Sequence, residues 1–402
     1  MSSGVRKFGV PERRNRLARR HFLLAETQSL PEITAGLVGL HATDAATPYL
    51  SLWARAPGFV VTDLDDELYQ KRSLIRHLAM RRTLWIIAAD DLPVVQAAAS
   101  ARVADNERRR LIADAQKAGV AEDGQGWLDR ASAAVLRHLN AHGPASATEL
   151  RTALPELAGS YDPAPGKRWG GEVPIAPRVL TVLSAGGDIV RGPNDGGWTT
   201  SRPRWSATAA WLPQRGEPWP EATARAELTR QWLRAFGPAT VDDLKWWQGT
   251  TQAAVRAALA DIGAVQVDLH GSPGYALPDD LEPEPEAPPW CALLPSLDPT
   301  TMGWYERDWY LGEHRGKLFD RNGNAGATAW WNGRVVGGWY QDANARVQLL
   351  LLEDPGRSGR QALERRAREL TSWLDGVRIS PRFPSPLAKS AMVTQAESAI
   401  RR

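Results

Sequence analysis

One cysteine, Cys291, stands in a chain of 402 residues. That excludes an intrachain disulfide and any zinc site built on several thiolates. No apolar run reaches the roughly 18 residues that a bilayer-crossing helix needs. Residues 1–20 lack the apolar core of a secretory leader, so a cytoplasmic, non-membrane protein is expected. Lysine is scarce, 7 against 42 arginines. Tyrosine and phenylalanine are few, 7 and 6, beside 18 tryptophans. No phosphate-cradling Walker loop or dinucleotide fingerprint occurs. Gly166, Gly170 and Gly171 lie in a Pro-rich stretch without the strand-to-helix setting such a cradle requires. His138 and His142 share a helix face, but no carboxylate motif accompanies them, and a solvated helix end explains them better than a metal. No metal and no cofactor are expected.

What is present is an ordinary globular balance: 43% hydrophobic, 24% charged, a formal charge of +3. The length implies several domains. Arginine forks grip phosphate and stack on bases, so the Arg bias suits nucleic acid; a GC-rich genome produces the same bias. Tryptophan fills cores, and it also offers flat surfaces for base stacking.

The chain repeats itself. Gly143-Pro144-Ala145-Ser146, followed by Glu149-Leu150, recurs 94 residues later as Gly237-Pro238-Ala239-Thr240, followed by Asp243-Leu244. A hydroxyl with an acid three residues on marks a helix N-terminus: the hydroxyl caps the first turn and the carboxylate favours the positive dipole end. In both copies a helical stretch precedes the motif, and a further helix and two β-rich runs come after it. Three helices and a two-stranded hairpin make the winged-helix plan, whose third helix usually enters a DNA groove.

Residues 1–120 fit a third, divergent copy. Helices are expected at 12–26, 31–41, 47–55 and 63–71, with strands at 73–80 and 83–88 around Arg81-Arg82, then a long helix over 91–118. An acidic, Pro-rich break at 279–289 reads as a linker. Beyond it the apolar period becomes that of strands, with turns at Asn322-Gly323 and Asn332-Gly333. Strands are expected at 290–295, 308–312, 327–333, 334–341 and 347–353, a helix at 358–374 and a closing strand at 377–381. The expected fold class is α+β: three tandem winged-helix domains (1–120, 121–215, 216–285) and a small C-terminal antiparallel β-barrel (286–402).

That plan resembles the bacterial AlkZ/YcaQ-type DNA glycosylases. The similarity runs through Leu37-Val38-Gly39-Leu40-His41-Ala42-Thr43, Pro48 to Arg55, Met80-Arg81-Arg82-Thr83-Leu84, Asp298-Pro299 to Trp304, Asp320 to Asn324, Gly333 to Trp339, and Pro381 to Leu387. The family places its catalytic pair after Leu-Val-Gly-Leu, usually as Gln-x-Gln or Gln-x-Asp. Here those positions are His41 and Thr43. A glutamine amide can hold the attacking water; a neutral His41 can hold it and also take its proton, with Thr43 fixing the water's second hydrogen bond. Residues at i and i+2 do not share a helix face, so the pair requires an extended turn at a helix end. Other readings stay open: His41 as a satisfied, partly buried histidine with Thr43 as a helix cap, or a catalytically dead site on a DNA binder.

Basic and aromatic residues complete the expected interface: Arg55, Arg81, Arg82, Trp85, Arg204, Trp205, Arg307 and Arg382, with Arg13, Arg14, Arg16, Arg19 and Arg20 on the first helix. Each arginine alone reads as a solvated surface charge, and together they outline a phosphate-binding face. The resemblance sets Arg81 and Arg82 beside the catalytic turn. Where the family commonly continues Thr-Leu-His, this chain has Thr83-Leu84-Trp85, and Trp85 either packs on a bulky adduct or fills the core.

The function expected is that of a monofunctional DNA glycosylase for alkylated purines, above all bulky N7-guanine adducts of a DNA-alkylating natural product, acting in self-resistance and repair. Its partner is double-stranded DNA carrying alkylated bases; the protein is expected to be a nucleoid-associated monomer. The alternative is a non-catalytic winged-helix DNA-binding protein or transcription regulator, which would normally carry one such module per subunit of a dimer.

Overall fold

The computed structural model describes residues 5–24, 27–168, 170–214 and 216–400. The end of the helix expected at 12–26 lies outside them. The chain divides into two compact units, one made of Met1–Leu64 with Ala226–Arg402, the other of Asp65–Arg225.

The second unit opens with a wide helical turn, Asp66–Gln70, followed by the antiparallel hairpin Leu74–Leu78 and Leu84–Ala88. It then runs almost without a break through Leu92–Val95, a wider helical turn at Gln96–Ser100, and Ala101–Lys117. Helices Gly124–His142, Ala147–Ala153 and Ala176–Gly186 come next, then the hairpin Ile189–Asn194/Pro203–Ala207. Leu111, Leu128, Val135, Leu150, Leu180 and Trp205 share one core, so the long helix and the hairpin close over the same apolar face.

The first unit repeats that order with Glu221–Phe236, Val241–Gln248, Gln252–Asp261 and the hairpin Val265–Leu269/Ser272–Ala276. The caps expected from the sequence form in both copies as reciprocal boxes, Ser146 with Glu149 and Thr240 with Asp243. The copies share one more feature. Ala145 exchanges backbone hydrogen bonds with Trp205 (3.0 and 2.7 Å), and Ala239 does the same with Tyr275 (3.1 and 2.8 Å). The Gly-Pro-Ala segment thus adds a one-residue third strand to each hairpin before the capped helix begins.

At the N-terminal end of this unit come helices Val10–Arg20, Leu30–Gly36 and Thr47–Trp53. After residue 289 the strands Cys291–Leu294, Thr328–Trp331, Arg334–Gln341 and Val347–Leu351 pair antiparallel in sequence order. Asn332 and Gly333, both at positive φ (47° and 78°), supply the tight turn that their residue types favour. The sheet is open: among the described residues no pairing joins its first strand to its last, so the expected barrel is not closed. Helix Gly356–Leu374 packs across both outer strands instead, covering apolar surface that closure would have covered.

Two strand expectations fail. Asp308–Leu311 is a single helical turn. Residues 377–381 form no strand, because the Gln341 side chain takes the place of a ladder partner, donating to Val377 O (2.9 Å) and accepting from Ile379 N (2.7 Å). A helix that the sequence did not suggest, Pro386–Ile400, lies beyond them.

Candidate active site

The Leu30–Gly36 helix starts at a capping box, Ser29 with Glu32, and stops at Leu37. Val38 (φ 54°) and Gly39 (φ 109°) then turn the chain through left-handed conformations, which a glycine adopts at little cost. Leu40 and His41 emerge extended, ahead of the Thr47–Trp53 helix. The i, i+2 pair therefore sits on non-helical backbone between two helices. His41 is buried, 2% exposed, and Thr43 is half-buried. The Thr43 N–H points at His41 Nδ1 from 3.5 Å, the outer limit of a hydrogen bond.

A stripe of polar side chains anchors the Thr47–Trp53 helix. Asp44, Thr47, Ser51 and Arg55 are all buried, and their spacing of 3, 4 and 4 sets them on one face. Asp44 Oδ2 accepts from Arg382 N (2.9 Å) and Ser296 Oγ (3.3 Å). Thr47 Oγ1 donates to Ser296 O (2.8 Å), and Ser51 Oγ to Asp298 Oδ2 (2.6 Å). Arg55 reaches both oxygens of Asp298 (2.9 and 2.7 Å), Thr300 Oγ1 (2.7 Å) and His21 O (3.0 Å). His21 closes the network through Nδ1 on Thr300 Oγ1 (2.8 Å); burial pushes its pKa down to about 3. Segment 296–300 thus holds the helix next to the His41–Thr43 turn along its whole polar face.

The expected interface residues fare unequally. Arg55 and Arg307 are 1% and 2% exposed and cannot meet a phosphate where they lie. Arg55 is spent on Asp298; Arg307 stacks on Trp246 and Phe319, 4.9 and 4.6 Å from the ring centroids, and burial lowers its pKa. Trp85 and Trp205 are core residues, 2% and 5% exposed, so neither offers a free face to a base. Arg191 covers Trp205 at 4.8 Å.

Arg81 is half-buried at the hairpin tip, and Arg82 beside it is exposed. Arg204 is half-buried and paired with Glu149 (3.0 Å). Arg382 is exposed. These four keep some access to a phosphate.

Helix Val10–Arg20 is corrected too. Arg16 binds Asp280 (2.7 Å) and Glu282 O, Arg19 binds Glu284 (3.2 Å) and Glu286 O, and Arg20 binds Asp280 (2.6 Å). The acidic stretch expected to be a linker is a strap that holds Arg16, Arg19 and Arg20, whereas Arg13 stacks on the Trp309 ring at 4.2 Å and Arg14 donates to Trp309 O (2.5 Å).

Among the described residues no group of three His, Cys, Asp or Glu could hold a metal ion, and no helix is long and apolar enough to cross a membrane.

Residues 34–373 match the family described as DNA glycosylase AlkZ-like. The chain belongs to the AlkZ-like DNA glycosylase family. It is therefore a DNA glycosylase, and DNA is its substrate. Among solved structures, the Streptomyces sahachiroi DNA glycosylase AlkZ aligns with a TM-score of 0.72 at 20% identity, covering 93% of this chain and 99% of that one. At that identity the likeness speaks for the fold alone. No curated protein matches the sequence.

In this AlkZ-like chain the turn offers an imidazole and a hydroxyl two residues apart. One can orient a water and accept its proton; the other can only orient. The support beneath them, from Asp44 to Arg55, is not among the residues singled out from the sequence as a set. Its signal was present: four polar residues at helical spacing in a stretch otherwise apolar, which on a buried helix must meet partners.

Proposed function

We propose that the protein hydrolyses the N-glycosidic bond of alkylated purines in duplex DNA, with bulky N7-guanine adducts of an alkylating natural product as its principal substrates. The observation that carries this reading is a buried imidazole, His41, on extended backbone next to the half-buried Thr43 hydroxyl. An N7-alkylated guanine is already cationic and leaves as a neutral base, so little protonation of the leaving group is needed. What remains is to place a water at C1′ and stabilise charge on the sugar. The water's oxygen bonds C1′ as the C1′–N9 bond breaks, and His41 takes the released proton. No lysine stands at the turn to form a Schiff base, which fits a monofunctional enzyme.

In this reading the two repeats are winged-helix modules, the N-terminal segment with the Leu74–Ala88 region is a divergent third, and the chain acts on DNA as a monomer in self-resistance, with phosphate contacts from Arg81, Arg82, Arg204 and Arg382. The test is base release from a duplex with one defined N7-guanine adduct, beside an undamaged duplex. Release of the modified base as a free purine, leaving an abasic site uncleaved, is expected. Strand cleavage coupled to release, or binding without release, would reject it.

A further inference from the structure

At the tip of the Leu74–Ala88 hairpin, Thr83 N–H closes a tight turn onto Met80 O (3.1 Å), and both central residues lie at positive φ, Arg81 at 54° and Arg82 at 61°. Such turns ordinarily take Asn-Gly or Gly-Gly, since a side chain in the left-handed region costs about 1–2 kcal/mol. Two arginines persist there only if the surroundings hold them. One holder is Glu107, in the middle of the Ala101–Lys117 helix. Its carboxylate takes Arg82 Nε (2.8 Å) and Nη2 (3.0 Å) side by side. The exposures are opposite: 2% for the Glu107 side chain, 55% for that of Arg82. Arg110 approaches the same carboxylate at 3.4 Å. One buried anion therefore serves two cations, and the trio keeps a net charge of +1. Beside it opens a cleft of about 470 Å³, lined by Arg82, Arg110, Lys117 and Arg178 and by the carboxylates of Glu107, Asp114, Asp162 and Glu172.

We propose that Glu107 is a positioning residue of the glycosylase: it clamps one edge of the Arg82 guanidinium so that the remaining donors are presented in fixed orientation to a DNA phosphate. A guanidinium carries five N–H donors in a rigid fork, and a carboxylate on one edge leaves the other free. The clamp removes rotamer freedom that an exposed arginine would otherwise lose on binding. It also lowers net charge, so the gain is in register rather than in non-specific attraction. This rests on the reading of Arg82 as a DNA contact.

The two effects separate in Glu107→Gln. The amide preserves volume but deletes the charge and replaces the two-oxygen grip on Arg82 with a single acceptor. Binding to undamaged duplex should tighten several-fold at low salt, with the dependence of log K on log salt steeper by about 0.9. Single-turnover excision at saturating protein should slow by about tenfold, because the guanidinium is no longer clamped. A residue that merely supported the fold would weaken both, with a matching fall in the thermal midpoint. Arg82→Ala should weaken binding and flatten the salt slope by about 0.9, and adding Glu107→Gln to it should cause no further loss of rate. Additive losses in the double variant, or a wild-type excision rate in Glu107→Gln, would overturn the proposal. If Arg82→Ala leaves both affinity and slope unchanged, it is the reading of Arg82 as a DNA contact that fails.

Discussion

Arg382 donates its backbone N–H to Asp44 Oδ2 at 2.9 Å across 338 residues of chain. Asp44 lies just beyond Thr43, so this bond ties the turn to the Pro381–Leu387 motif, and Ser296 Oγ adds a second tie to the same oxygen. Because Arg382 is bound by its backbone, its guanidinium stays exposed and available.

Asp44→Ala should therefore loosen both ties and lower excision by about 10- to 100-fold, the scale of a small misplacement of reacting groups. Asp44→Asn keeps an acceptor for Arg382 N–H and should lose much less. Single-turnover rates of the two variants decide this; equal losses would mean that the negative charge, and not the bond, matters.

The fully buried Arg55–Asp298 pair bears on stability rather than rate. Removing one partner strands the other, so Asp298→Ala should cost about 3–5 kcal/mol in denaturant unfolding. Replacing both residues by apolar side chains of similar size should recover most of that loss. A single variant as stable as wild type would contradict it.

Arg382 and Arg307 should separate cleanly. Arg382→Ala should leave thermal stability unchanged and reduce the salt slope of DNA binding by about 0.9. Arg307→Ala should instead lower thermal stability, since it removes a guanidinium packed between two rings. A salt slope altered only by Arg307→Ala would reverse the assignment.

Stability should fall in acid through two histidines. Burial lowers His21 to about 3 and His77 to about 4. An unfolded imidazole titrates near 6.5, so between these values the unfolded chain binds more protons than the folded one. Their stabilising contribution is full above about pH 6.5 and is lost as pH falls toward 4 and 3, at up to about 1.4 kcal/mol per pH unit for each. Urea unfolding at a series of pH values tests this, and His77→Gln should remove one share of the slope. A flat profile from pH 7 to 5 would refute it.

Local features are legible in the sequence. The caps at Ser146 and Thr240 and the turn at Asn332-Gly333 each depend on a few neighbouring residues; the helix expected over 31–41, by contrast, stops at Gly36 and leaves His41 extended. Pairing across long separations is not legible. Nothing in the arginine density of residues 13–20 says whether the partner is a phosphate or the carboxylates of Asp280 and Glu284, which lie far along the chain. Composition likewise cannot tell the surface Arg382 from the buried Arg55 and Arg307, since burial of an arginine depends on Asp298 or on two aromatic rings brought from elsewhere. The open sheet escapes the sequence for the same reason: alternation reports strands, whereas closure depends on whether a helix such as Gly356–Leu374 covers the outer ones.

If His41 activates the water, His41→Ala should slow single-turnover excision of a defined N7-guanine adduct by roughly 10²–10⁴-fold after subtraction of spontaneous depurination, with DNA affinity nearly unchanged. His41→Gln, which can hold water but not take its proton, should fall between. The wild-type rate should drop in acid once His41 is protonated, and the glutamine variant should lose that dependence. Full activity in His41→Ala, or an acid limb that survives in His41→Gln, would rule out His41 as the base.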